Sequence, residues 1–369
     1  MSFFKKPSFS LLRSLLLTTL VGLVTGGLGA FVLWTLLLSY QASSFFGSTN
    51  APLAERRRPL LAEEKLLADL RYEISPSLAE LFLESSQIEG RFFPSQAIGY
   101  GVVLTSDGWI LSHRTVIDPR AIASLRVGLG TRLLPVIEAL EDKETGVLFL
   151  KIETANLRPA VFGASQNLKS GEAVYLPLPH QEVLAARVRN PGARSELVAL
   201  SDRLDSRLTL DAELLTKAGA PLVNAEGEII ALTLGEDNRI TEAIPMDHLA
   251  PIIRSFLKEG VFLRPALGVR GMHLEGSRSA SQNRERGFLV LAEDRGSNRK
   301  ELSPAFRAGL QPQDIVIKLQ DTIINGSRDL SELLLAWNPQ DTVDLTILRA
   351  EEELIIPVTL GQRSSEIRY

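Results

Sequence analysis

The stretch Gly99-Tyr100-Gly101-Val102-Val103-Leu104-Thr105-Ser106-Asp107-Gly108-Trp109-Ile110-Leu111-Ser112 reads as two short strands around a tight turn. Gly101–Thr105 and Trp109–Ser112 are apolar runs too short for helices. Asp107-Gly108 between them is a hairpin signature, because the turn that matches strand twist needs a left-handed backbone. Similar runs recur downstream at Ser124–Val127, Val147–Ile152, Glu172–Pro177, Glu196–Leu200, Pro221–Asn224 and Ile229–Leu234, with Glu226-Gly227 as a second turn signal. Many short strands at this spacing predict a sandwich or barrel. Met246 to Lys258 follows as a helix, with Ile252, Ile253, Phe256 and Leu257 on one face.

Upstream the pattern is different. From Ser14 to Leu38 no residue is charged, which is long enough to cross a hydrocarbon core as a helix. Lys5, Lys6 and Arg13 precede this run and place the N-terminus in the cytoplasm, although Arg56, Arg57 and Arg58 follow the span at a distance. A cleaved signal peptide is the competing reading. The apolar run exceeds a usual signal core, and Tyr40-Gln41-Ala42 has a large residue where a small one is needed. Trp34 and Tyr40 suit an interfacial belt. Gly22 and Gly26 would let two such helices approach, or are simply glycines of a membrane helix. Residues 41–59 read as a linker, and Leu60 to Tyr72 as a short amphipathic helix.

Composition narrows the function. A formal net charge of −4 argues against a nucleic-acid binder. With no cysteine there is no disulfide, thiol nucleophile or thiolate metal site. His113, His180, His248 and His273 show no metal-ligand spacing, so neither metal nor cofactor is expected.

The opening hairpin resembles the one that leads to the catalytic histidine in HtrA-type serine proteases. Thr145-Gly146-Val147-Leu148-Phe149-Leu150-Lys151-Ile152 resembles the strand that carries their aspartate, and Thr216-Lys217-Ala218-Gly219-Ala220-Pro221-Leu222-Val223-Asn224 the turn that carries their serine. Phe162-Gly163-Ala164-Ser165, Leu168-Lys169-Ser170-Gly171-Glu172 and Glu242-Ala243-Ile244-Pro245 continue the match in order. The resemblance implies a mainly β chain: an N-terminal transmembrane helix, a chymotrypsin-like double β-barrel and a C-terminal PDZ-like α+β domain. The expected division is 1–40 for tail and membrane helix, 41–74 for linker and amphipathic helix, 75–260 for the protease-homology domain and 261–369 for the PDZ-like domain.

Serine-protease chemistry needs a nucleophile, a base and an orienting carboxylate acting as a unit. In the resemblance these positions fall on Ala218, Thr115 and Gly146, and the oxyanion turn on Thr216. The expectation is therefore a chain that is not an enzyme, a binding scaffold or regulatory subunit outside the cytoplasm. The alternative is an active endopeptidase of protein quality control with a rebuilt site. His113, His180, Asp118 and Asp142 are its candidate groups, and Ser201 and Ser206 are spare hydroxyls.

Arg264-Pro265-Ala266-Leu267-Gly268-Val269-Arg270 resembles the loop and strand that open an HtrA-type PDZ domain, and Ser303 to Ile317 its central segment. The resemblance assigns Ala266, Leu267, Gly268 and Val269 to recognition of a peptide's C-terminal carboxylate, through backbone N–H groups and an edge strand. Leu330, Leu333 and Leu334, with Trp337, either line the same groove or are core. It also implies a homotrimer, with Phe92 and Phe93 in its contact. The partners expected are protein C-termini and, through residues 14–38, a membrane.

Overall fold

The computed structural model describes residues 9–369, apart from 48–52, 118, 181–182, 195, 237, 276, 278–285, 295–301, 326–328 and 365. Lys5, Lys6 and Asp118 lie outside the described residues. Residues 1–65 and 66–369 form two units.

In the first unit, α1 (Phe9–Gly47) contains an apolar span, Leu16–Leu36, of mean hydropathy 2.0. Among the described residues it is the one helix long and apolar enough to cross a membrane. The next helix, α2 (Leu53–Ile74), runs from this unit into the second. It begins well before the expected Leu60 and takes up much of the expected linker. Pro59 falls inside this helix, where a proline leaves one backbone acceptor without its donor and crowds the preceding turn.

The expected hairpin is β2 (Gly99–Val103) and β3 (Trp109–His113), registered Val102 to Leu111. Gly108 takes φ +106, and a Cβ there would lie 2.3 Å from the Ile152 carbonyl. β1 (Leu78–Leu83), β4 (Leu125–Leu129), β5 (Arg132–Asp142) and β6 (Val147–Ile152) complete the sheet, and β5–β6 pairing closes it into a first barrel. The second barrel is built from β7 (Ala173–Leu176), β8 (Leu184–Arg194), β10 (Ser206–Leu215), β11 (Pro221–Val223), β12 (Ile229–Glu236) and β13 (Arg239–Pro245). β9 (Ala199–Leu200) lies between β8 and β10 in sequence but belongs to neither barrel.

Each barrel has its own apolar core, and a third cluster lies where barrels and helix meet. α3 (Met246–Glu259) presses Phe256 against Trp109 at 4.7 Å and Phe149 at 4.8 Å, with Phe262 closing the group. The C-terminal residues of α2, Leu70 and Ile74, enter the same cluster. Asp247 at the start of α3 accepts hydrogen bonds from the Ser165 N–H and hydroxyl, both 2.7 Å.

The C-terminal domain begins with β14 (Leu263–Ala266) and β15 (Val269–His273). It continues through β16 (Phe288–Glu293), α4 (Pro304–Arg307), β17 (Ile315–Leu319), β18 (Thr322–Ile323), α5 (Leu330–Leu334), β19 (Thr342–Arg349) and β20 (Glu352–Thr359). β21 (Gly361–Ser364) pairs with β14, and β22 (Glu366–Arg368) leaves the domain to pair with β5 of the first barrel. Tyr369 follows, its hydroxyl donating to Glu141 at 2.6 Å. The expected boundary at 260/261 is thus crossed in both directions, by β22 and by β9, which adds to β15.

Candidate functional sites: a barrel cleft and a carboxylate-binding groove

The first site is where β3, the loop before β6 and the loop before β11 meet. The Tyr100 N–H donates to the Ala218 carbonyl at 3.0 Å, and the Arg114 N–H to the Gly146 carbonyl at 2.8 Å. These contacts bring the segments of Thr115, Gly146 and Ala218 to one edge. Gly219 holds φ +82, and a Cβ there would meet the Tyr100 carbonyl at 2.2 Å and Ser112 Oγ at 2.9 Å. Thr216 is buried and is not among the left-handed residues.

His113 occupies the space that a side chain at position 146 would take, since a Cβ on Gly146 would lie 2.8 Å from its Nε2. The Thr115 N–H donates to His113 Nδ1 at 3.1 Å, so Nδ1 is the acceptor and Nε2 carries the proton, donated to the Thr145 carbonyl at 3.0 Å. Thr115 Oγ1 lies 2.9 Å from the same Nδ1. Burial pushes the imidazole pKa down to about 4 against the favourable Thr145 hydrogen bond, and Arg114 and Arg207 push the same way as burial. The ring is neutral at pH 7.

Asp142 does not orient this histidine. Its carboxylate binds the Thr145 N–H and hydroxyl and forms a buried ion pair with Arg264 at 2.6 Å. A polar chain thus runs from Arg264 through Asp142, Thr145 and His113 to Thr115. His180 stands apart, in a left-handed backbone with its ring 3.8 Å from Glu80. Glu80 is buried on β1, and burial raises its pKa although His180 and Lys217 oppose this. The two spare hydroxyls also have structural partners. Ser206 Oγ donates to Glu332 at 2.9 Å and lies 3.3 Å from His248 Nε2, and Ser201 Oγ donates to Asp202 at 2.6 Å.

The second site is the turn from β14 to β15. Gly268 holds φ +74, and a Cβ there would fall 2.4 Å from Ser303 Cβ and 2.8 Å from the Asp294 carbonyl. Only glycine fits, and the turn it makes points successive N–H groups to one side. Leu267 N donates at 2.8 Å, and Gly268 N at 3.0 and 3.1 Å, to the Asp202 carboxylate. Val269 N donates to Ser201 Oγ at 3.0 Å. Ala266 is buried in its pairing with Gly361 on β21. Leu330 and Leu334 belong to the domain core, while Leu333 and Trp337 are partly buried against it. Asp202 escaped the sequence reading. A carboxylate beside a serine at the end of an apolar run was its only signal.

Two barrels followed by a PDZ-type domain define a trypsin-like protease fold with a peptide-recognition module. The PDZ-domain family matches residues 281–360, a range that leaves out Ala266–Val269. A probable periplasmic serine endoprotease, DegP-like, from Hahella chejuensis is 25% identical over 280 residues, 73% of this chain and 58% of that protein. The mitochondrial serine protease HTRA2 of Bos taurus is 26% identical over 314 residues, 81% of this chain and 68% of that protein. Among solved structures, the HtrA-type protease AlgW with a decapeptide superposes with a TM-score of 0.56 at 20% identity, over 80% of this chain and 98% of that one. AlgW with a tripeptide gives 0.57 at 21% identity, over 80% and 97%. The chain is homologous to the HtrA/DegP serine proteases and carries a C-terminal PDZ domain. It spans little more than half the length of the DegP-like relatives. These relatives correct the expectation of a chain that is not an enzyme: they are named serine proteases, which points to an enzyme.

Proposed function

We propose that this chain is an HtrA-type serine protease homologue, anchored in a membrane through residues 14–38, that captures protein C-termini outside the cytoplasm through its PDZ domain. The observation that carries this reading is the Leu267-Gly268-Val269 turn, whose backbone donors converge where a terminal carboxylate would sit. Peptides bound to AlgW support it, as do the periplasmic names of the DegP-like relatives. The full chain in detergent should bind a fluorescent peptide with a free C-terminus and not its carboxamide. Equal binding of both would reject carboxylate recognition. A homotrimer through Phe92 and Phe93 fits the same reading: Phe93 is 45% exposed, whereas Phe92 packs edge-on against Phe82. Light scattering tests it, and a monomer rejects it.

A second reading is an endopeptidase of protein quality control with a rebuilt site. The relatives' names favour it, and Thr115 with His113 is a hydroxyl–imidazole pair at the cleft edge. An imidazole titrating at about 4 is a weak base at neutral pH, so hydrolysis by this pair would be slow. Labelling of the purified chain by a fluorophosphonate, abolished by Thr115→Ala, would establish this reading. Absence of labelling and of casein cleavage would reject it.

A further inference from the structure

The groove of the PDZ domain is filled by the chain itself. β9 adds to β15 as an antiparallel strand, with Leu200 opposite Arg270 and Ala199 opposite Gly271. Ser201 N donates to the Val269 carbonyl at 2.8 Å, the bond an incoming peptide's last residue would make in strand addition. Beyond Ser201 the chain continues, so there is no terminal carboxylate. The Asp202 side chain supplies one instead: it accepts from Leu267 and Gly268, while Ser201 Oγ accepts from Val269. All three donors are engaged, and Ser201 and Asp202 are 1% and 8% exposed. Arg363 lies 3.8 Å from the same carboxylate.

The tether has a consequence. The plug sits in the connection between β8 and β10, neighbours in the second barrel, and both ends of that connection are tied to the PDZ domain, at α5 and at its N-cap Asp329. Arg194 pairs with Asp329 at 3.1 Å, and Ser206 bonds Glu332 at 2.9 Å. A ligand held on so short a loop has an effective concentration on the order of millimolar or more. A free peptide must displace it, and displacement releases the loop that joins two strands of the protease-homology barrel.

We propose that Ala199–Asp202 is a built-in competitor for the PDZ groove, and that a peptide ending in a free carboxylate binds by expelling it, which frees the β8–β10 loop. This rests on the peptide-binding reading above and adds its regulation. The test uses the full chain in detergent, as wild type, as Asp202→Asn and as Ser201→Ala/Asp202→Asn. The probe is a fluorescein-labelled decapeptide ending in Val-Ala-Leu-Val with a free carboxylate, which mimics the plug with a true terminus. Two quantities are read: probe affinity, and hydrogen exchange at the amides of Leu267, Gly268 and Val269. Loss of a charge-assisted pair of bonds should raise exchange at these amides and tighten probe binding by about 10-fold or more, further in the double variant. Unchanged exchange with probe bound equally by all three proteins overturns the plug while leaving peptide binding intact. Faster exchange with no binding of the probe by any variant overturns the competition and the peptide-binding reading together.

Discussion

The barrel cleft and the PDZ groove are built from the same device, a left-handed glycine that brings two backbones into contact, and they use it in opposite ways. At Gly219 the glycine lets the Ala218 loop reach Tyr100 and Ser112. The backbone contacts there gather the segments of Thr115, Gly146 and Ala218 at one edge of the barrels. At Gly268 the turn presents main-chain N–H groups of Leu267, Gly268 and Val269, and all three are engaged by Asp202 and Ser201. A site made of main-chain N–H groups can be altered only by breaking the turn or by filling it.

The two regions are joined by the buried Arg264–Asp142 pair, which links β14 to β5, and the largest effect is expected there. Asp142→Ala leaves a buried guanidinium without its counter-charge, a loss of about 3–5 kcal/mol. The expected result is a melting temperature lower by on the order of 10 °C. A change of only a degree or two would show that water reaches Arg264 and that cleft and groove are not coupled through this pair.

His113 gives the next largest effect, and it depends on pH. Its folded pKa of about 4 lies below the usual value near 6.5, so the unfolded chain binds the proton more readily. Its contribution to stability is therefore complete above about pH 6.5 and is lost as pH falls toward 4. The full span is about 3 kcal/mol at most. Melting curves of wild type and His113→Gln should converge as pH falls through this window. Parallel curves would place the acid sensitivity elsewhere.

Gly146→Asp sharpens the contrast at the cleft directly. The residue sits at φ +74, and its new Cβ would meet His113 Nε2 at 2.8 Å. A loss of about 1–3 kcal/mol is expected from the backbone strain alone. Part of the total should be recovered in a His113→Ala background, because the contact with the ring is gone. Full additivity of the two changes in chemical denaturation would show that the imidazole does not occupy that space.

The sequence made the glycine-turn hairpin legible because β2 and β3 are short, apolar and separated by Asp107-Gly108. The segment Ser303 to Ile317 was legible for a similar reason: Gly309 at φ +103 and the Pro312 turn punctuate it. β5, β8 and β10 were missed. They are long strands carrying polar residues such as Arg132, Glu138, Arg187, Asn190 and Glu213, and period-two patterning is diluted where a strand bends or projects. The run Glu196–Leu200 was read as a barrel strand, whereas Ala199–Leu200 pairs with β15. Alternation reports that a segment extends, not which sheet receives it. The turn residues Leu267–Val269 were singled out by resemblance. Their partner Asp202 was not, because the contact spans 65 residues and has no local period.

The smallest expected effect tests a constellation outside the cleft that imitates catalytic chemistry. Ser206, His248 and Glu332 meet where β10, α3 and α5 come together, a serine, an imidazole and a carboxylate in contact. In a working triad, serine and carboxylate engage opposite nitrogens of the ring, so that one takes the proton while the other steadies the charge. Here Ser206 Oγ at 3.3 Å and Glu332 Oε1 at 3.4 Å both face Nε2, and the His248 side chain is 3% exposed. The serine is better placed as a strut between barrel and PDZ domain than as a nucleophile. Ser206→Ala should cost about 1 kcal/mol, the net value of one buried hydrogen bond, and leave fluorophosphonate reactivity where it was. Loss of labelling in this variant would move the chemistry of the molecule out of the barrel cleft and into the domain interface.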